Sequence, residues 1–93
     1  MIFITLSKFR KKPTKEMTTE VTKIVQSMAE MGVKIHGFYW TLGRYDTVVI
    51  MEAPNEETAM KANIRVSDIV STETMVAVSR RSYTTGRLIK NNI

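Results

Sequence analysis

His36 is the only histidine in the chain, and imidazole is the only side chain here that ordinarily titrates near neutrality. A general base or proton shuttle would most simply use it. No nucleophile stands at a spacing that pairs with it, so His36 is a weak catalytic candidate beside the plainer reading of a partly exposed strand residue. Nearby, Tyr45 and Asp46 bring a phenol and a carboxylate together. Asp46 is able to accept a hydrogen bond from a ligand, or to tie a turn by bonding backbone amides and Thr41. Trp40, with Phe38 and Tyr45, offers rings on which a planar ligand would stack, although the same side chains serve protein interfaces equally well. Thr5 and Ser7 supply hydroxyls from the first apolar segment. A ligand site drawn from these types would combine His36, Trp40, Tyr45, Asp46, Thr5 and Ser7.

Other chemistry is excluded. The chain has no cysteine, which removes disulfides, thiolate catalysis and thiolate-ligated metals and suits a reducing compartment. No phosphate-binding glycine loop, dinucleotide fingerprint or zinc-ligand spacing occurs, so neither a metal nor a cofactor is expected. The formal charge is +5. Its basic residues gather at Lys8, Arg10, Lys11, Lys12 and Lys15 and again at Arg80, Arg81, Arg87 and Lys90, which favours acidic partners in general. No nucleic-acid-binding signature accompanies them, so nucleic acid is a disfavoured partner and a solvated basic surface the simpler reading. The first residues carry no basic segment ahead of their apolar run, unlike a secretory leader, and no apolar stretch approaches the roughly 20 residues of a membrane span. A cytoplasmic location is the expectation.

The elements that would position these residues follow from periodicity. Ninety-three residues suit a single domain with a modest core, so any cleft is expected between subunits. Residues 2–9 alternate as a strand. Thr14 or Thr18 caps a helix whose apolar positions, Met17, Val21, Ile24, Met28 and Met31, step by four and three, and Gly32 ends it. The three methionines fill core gaps. A hairpin spans about residues 33–53. Asn55 caps a shorter helix running to about Val66, residues 72–81 form a last strand, and a polar tail runs from Ser82 to Ile93. The order βαββαβ predicts an α+β, ferredoxin-like fold: a four-stranded antiparallel sheet with both helices on one face.

A two-residue loop at Gly43 and Arg44 would pair Trp40 with Thr47 and Phe38 with Val49. Alternation then places Val33, Ile35, Val48 and Ile50 beneath the helices, and Phe38, Trp40, Val49 and Met51 on the uncovered face. An uncovered apolar face calls for a second subunit or a ligand, so these four are the interface candidates of a homodimer or higher oligomer. A bulge would exchange the faces.

The segment Phe-Tyr-Trp-Thr-Leu-Gly-Arg-Tyr-Asp resembles the signature of the GYD-domain family. The likeness extends to Ile-Thr-Leu-Ser-Lys-Phe in the first strand, Glu-Ala-Pro after the hairpin and Ser-Thr-Glu-Thr-Met near the last strand. Arg44 stands where family members often carry an acidic residue. The family is similar in architecture to the dimeric α/β-barrel group, in which two sheets face each other around a small cavity. That group holds cofactor-independent monooxygenases and ligand-sensing domains alike, and the lack of an acid–base constellation in this chain favours a small oligomeric binding or assembly module taking a small molecule between sheet faces. The alternative is a cofactor-independent, monooxygenase-like enzyme with its site in the dimer cavity, and the third reading is non-specific nucleic-acid binding.

Overall fold

The computed structural model describes residues 1–80; the tail expected from Ser82, and with it Arg81, Arg87 and Lys90, lies outside the described residues. Strand β1 spans Ile2–Phe9 and helix α1 spans Lys15–Ser27. Strands β2 (Lys34–Trp40) and β3 (Thr47–Glu52) precede α2 (Glu56–Arg65) and β4 (Val70–Ala77). Both helix starts are capped by a side-chain oxygen. Thr14 accepts from the N–H of Met17 and Asn55 from that of Thr58, each satisfying a donor that the first turn leaves free. The apolar stripe of α1 continues past its end into a 3₁₀ turn at Met28–Met31, which tightens the helix before Gly32 stops it at φ 83°. That left-handed conformation suits a residue without a Cβ. The last strand begins two residues earlier than periodicity predicts and ends at Ala77.

The four strands form an antiparallel sheet in the order β2-β3-β1-β4, the ferredoxin-like α+β topology. Its core gathers Phe3, Met28, Met51, Ala59, Ala62 and Val66 between sheet and helices. The pairs Trp40 with Thr47 and Phe38 with Val49 form as expected. The assignment of faces holds for Val33, a core residue, and for Ile35, which packs against the core, and fails for the rest of the hairpin. Phe3, Thr5 and Ser7 of β1 are buried beneath the helices, and β3 presents Thr47, Val49 and Met51 on that same side through its pairing with β1. Strand β2 follows, because its register shifts between Ile35 and Gly37 and makes His36 the extra residue of a bulge. Ile35 before the bulge and Phe38 and Trp40 after it therefore all lie on the helix side. The uncovered face carries Ile4, Leu6, Val48, Ile50, Met75 and Tyr39 instead. The four interface candidates do not lie on it: Met51 is a core residue, 3% exposed, and Val49 packs against the core.

The hairpin loop also differs from expectation. It spans residues 41–46, with Gly43 at φ 109° and Leu42 fully exposed. Asp46 explains the wider loop, since its N–H donates to the carbonyl of Ser7 at 2.8 Å rather than continuing the β2–β3 ladder. Two bonds from Thr41 close the loop from the β2 side, its N–H donating to the carbonyl of Asp46 (2.9 Å) and its hydroxyl to the carbonyl of Tyr45 (2.7 Å).

Candidate functional site

A cavity of about 390 Å³ opens between the helix-side face of the sheet and the two helices. Its floor is the hydroxyl-bearing part of the sheet. Thr47, Ser7 and Thr72 form one row across β3, β1 and β4, and Thr5 and Thr74 are paired in the next. The second pair is self-satisfied: the hydroxyls of Thr5 and Thr74 lie 2.8 Å apart, and Asn63 of α2 donates its amide to Thr74 at 2.6 Å. The first row is not. Among the described residues the hydroxyls of Ser7, Thr47 and Thr72 have no hydrogen-bond partner, although Ser7 and Thr47 are each only 5% exposed. No enclosed side-chain oxygen or nitrogen among these residues is left unpaired, so these hydroxyls open into the cavity.

The opposite wall comes from α1. Thr18, Thr19 and Thr22 donate their hydroxyl protons back to the carbonyls of Lys15, Lys15 and Thr18, at 2.9 Å each. Toward the cavity they retain oxygen lone pairs and methyl groups. Val25, Met28 and Val66 add apolar surface deeper in. At one end stand Phe9, Phe38 and Trp40, with the rings of Phe9 and Trp40 stacked at a centroid distance of 5.9 Å and 17° between planes. Trp40 keeps 66% of its surface exposed, so its outer face is open to solvent. Among the described residues lining the cavity, none carries an ionisable side chain.

Of the residues singled out by type, Trp40, Thr5 and Ser7 come together here, and His36, Tyr45 and Asp46 do not line the cavity. His36 sits at the bulge with Nε2 2.9 Å from Oε1 of Glu52, and this contact holds the Glu52 carboxyl below its usual range. Tyr45 donates its hydroxyl to Glu73 at 2.6 Å, and that bond raises its pKa above the ordinary phenol value, opposed by the guanidinium of Arg44 5.5 Å from the ring centre. Asp46 accepts the N–H of Phe9 at 2.8 Å. The Gly-Arg-Tyr-Asp element therefore fastens the loop to β4 through Tyr45 and to β1 through Asp46, and the second bond places one ring of the aromatic end. Sequence reasoning missed Phe9, Thr47, Thr72 and the α1 threonines. Their signal is hydroxyl residues at alternate positions, Thr5 with Ser7 and Thr72 with Thr74, which marks one polar sheet face.

Among the described residues no cluster of His, Asp and Glu gathers that would hold a metal ion, and no helix is long and apolar enough to cross a membrane. The basic turn after β1 is pinned at Arg10, whose Nε donates to the carbonyl of Ser67 at 2.7 Å.

A family model described as GYD domain matches residues 1–85. No curated protein matches the chain at a significant level. Among solved structures, the chain is similar to the ACT domain from GTP pyrophosphokinase of Chlorobium tepidum, with a TM-score of 0.57 at 11% identity, covering 80% of this chain and 95% of that one. It is also similar to an AsnC family transcriptional regulator from Agrobacterium tumefaciens, with a TM-score of 0.57 at 15% identity, covering 85% of this chain and 52% of the regulator. At these identities the likeness is one of fold.

Proposed function

The chain belongs to the GYD domain family, and from the cavity between its helices and sheet we propose that it is a small-molecule-binding module. The observation that carries this reading is a row of unpaired hydroxyls, from Ser7, Thr47 and Thr72, on the floor of a cavity with an aromatic end. Concave, mostly apolar sites with a few convergent polar groups are where proteins hold small ligands. The same lining argues against the enzyme alternative, because a wall without an ionisable side chain supplies neither acid nor base, and His36 is engaged with Glu52 elsewhere. On this reading the ligand lies beneath the helices of one subunit rather than between two sheet faces. Native mass spectrometry of the purified protein with metabolite mixtures, followed by methyl NMR, tests it. A bound compound should shift the methyl signals of Met28, Thr47 and Val25. Binding that leaves those signals in place and moves those of Ile4 and Ile50 would put the ligand on the other sheet face.

The uncovered face supports self-association. Ile4 lies between Ile50 and Met75, and Leu6 beside Val48, in adjoining rows that no helix covers. Met75 and Tyr39 remain 46% and 54% exposed. A second copy stacked on this face, related by a two-fold axis, would remove the patch from water. Light scattering measures it: a dimer is expected, and Met75→Glu, which changes an already exposed side chain, should yield a folded monomer. A wild-type monomer at high micromolar concentration would overturn the reading.

A further inference from the structure

We propose that the cavity selects an uncharged, planar ligand that carries a hydroxyl or carbonyl oxygen on one edge, a flat ring system of about two fused rings; this deepens the binding reading above and rests on it. Three independent features of the wall converge on that class.

The first is charge. With no ionisable group among the described lining residues, a charged ligand group entering the cavity would give up its hydration without gaining a counter-ion. The basic residues described here do not compensate for this, because none of them lines the cavity. A neutral ligand avoids the penalty, and the overall positive charge of the surface does not select it.

The second feature is the sorting of donors and acceptors between the two walls. Thr18, Thr19 and Thr22 have spent their protons on helix carbonyls and offer only lone pairs. Ser7, Thr47 and Thr72 are free to donate or accept. A ligand carbonyl or phenol oxygen is therefore served by the sheet floor, whereas the helix wall satisfies at most a ligand donor. The Thr5, Thr74 and Asn63 group beside the row is internally bonded, so it stiffens the floor without competing for the ligand.

The third feature is shape. The Phe9 and Trp40 rings are near parallel, and with Phe38 they form the end of the cavity, so a flat ring slid beneath the helices extends an existing stack. A volume of about 390 Å³ lies near the lower bound of small-molecule sites and suits a compact ring system.

The test uses four naphthalene probes that share one ring system and differ in one substituent: 2-naphthol, 2-naphthalenesulfonate, 2-naphthylmethylammonium and naphthalene itself. Each is titrated into the protein at neutral pH and followed by methyl NMR. 2-Naphthol should shift the Met28, Val25 and Thr47 methyl signals and bind about tenfold or more tightly than either charged probe, a factor equivalent to about 1.4 kcal/mol. Ser7→Ala and Thr47→Val should each reduce naphthol affinity several-fold and leave naphthalene unchanged. Sulfonate or ammonium binding at these methyls as tightly as naphthol would overturn the ligand class while leaving the cavity as a binding site. If none of the four probes shifts these methyls, the ligand class is wrong, and the metabolite screen above decides separately whether the cavity binds a ligand. The comparison among probes on the unaltered protein decides the matter even where a variant fails to fold.

Discussion

The carboxylate of Asp46 accepts the backbone N–H of Phe9 at 2.8 Å, joining the end of the hairpin loop to the end of β1. The N–H of Asp46 in turn donates to the carbonyl of Ser7, so one residue bonds twice to β1, beside the hydroxyl floor and the aromatic end of the cavity. Asp46 is a positioning residue here, and its effect on any ligand passes through Phe9.

Asp46→Ala should destabilise the protein by about 1–3 kcal/mol, the cost of removing a charged acceptor from a part-buried N–H. Asp46→Asn retains an oxygen acceptor and should cost less. Urea denaturation measures both. Equal stability of the alanine variant and the wild type would mean that the loop is held without this bond.

Gly43 and Gly37 should differ in their response to alanine. Gly43 has φ 109°, and a Cβ there would meet no atom within 4 Å, so the cost is backbone strain alone, about 1–2 kcal/mol. At Gly37 a Cβ would meet the Tyr39 ring at 2.6 Å, and that flexible, half-exposed ring can swing aside. The thermal midpoint should therefore fall more for Gly43→Ala than for Gly37→Ala, and the reverse order would contradict the loop conformation.

The fold was legible because its signals are local: the α1 stripe, the Thr14 and Asn55 caps, and Gly32 each act within a few residues. Beyond Val33 and Ile35 the faces of the hairpin were not, and β3 shows why. Val48, Val49, Ile50 and Met51 are apolar on both sides, so alternation carries no preference, and the choice is made by β1, where Phe3 packs in the core and Ile2, Ile4 and Leu6 turn outward. The bulge at His36 was equally silent, since neither His36 nor Gly37 demands one. The hairpin register survived because Trp40 and Thr47 pair outside the loop, whereas the loop's length depends on bonds from Asp46 and Tyr45 to distant strands. For the site, the consequence is that Trp40, Thr5 and Ser7 share a wall by sheet geometry, and His36 is carried away from them by the bulge.

The exchanged faces give a direct contrast between neighbours in sequence. Met51→Glu buries a carboxylate in the core without a partner and should unfold the protein or cost more than about 3 kcal/mol. Ile50→Glu places the charge on the uncovered face, where the fold should persist while self-association is lost. Circular dichroism and light scattering separate the two outcomes; unfolding by Ile50→Glu with tolerance of Met51→Glu would restore the opposite assignment.

Glu52 links the bulge to pH. Its folded pKa is lowered, first by the hydrogen bond from His36, so the contact favours the folded state above the ordinary carboxylate value of 4.5 and loses that contribution as pH falls through the depressed folded value. His36→Ala should bring the Glu52 titration back up toward 4.5, read from its side-chain carboxyl carbon by NMR. A Glu52 midpoint that is unchanged in the variant would show that the pair does not persist in solution.

Phe9→Leu tests the aromatic end. The stack with Trp40 is of the offset, near-parallel kind worth about 0.5–1.5 kcal/mol beyond burial, and leucine removes it while keeping apolar bulk at the end of β1. Because Trp40 is the only tryptophan in the chain, its emission reports this one contact. The variant should show a red-shifted Trp40 emission, faster acrylamide quenching and a stability loss within that range. The Asp46→Ala variant should move the emission in the same direction, since it releases the strand end that carries Phe9, and the double variant should fall short of the sum of the two, because both changes act on one arrangement. Full additivity, or an unchanged emission in Asp46→Ala, would mean that the loop bond and the ring stack are independent and that Asp46 does not position the aromatic end.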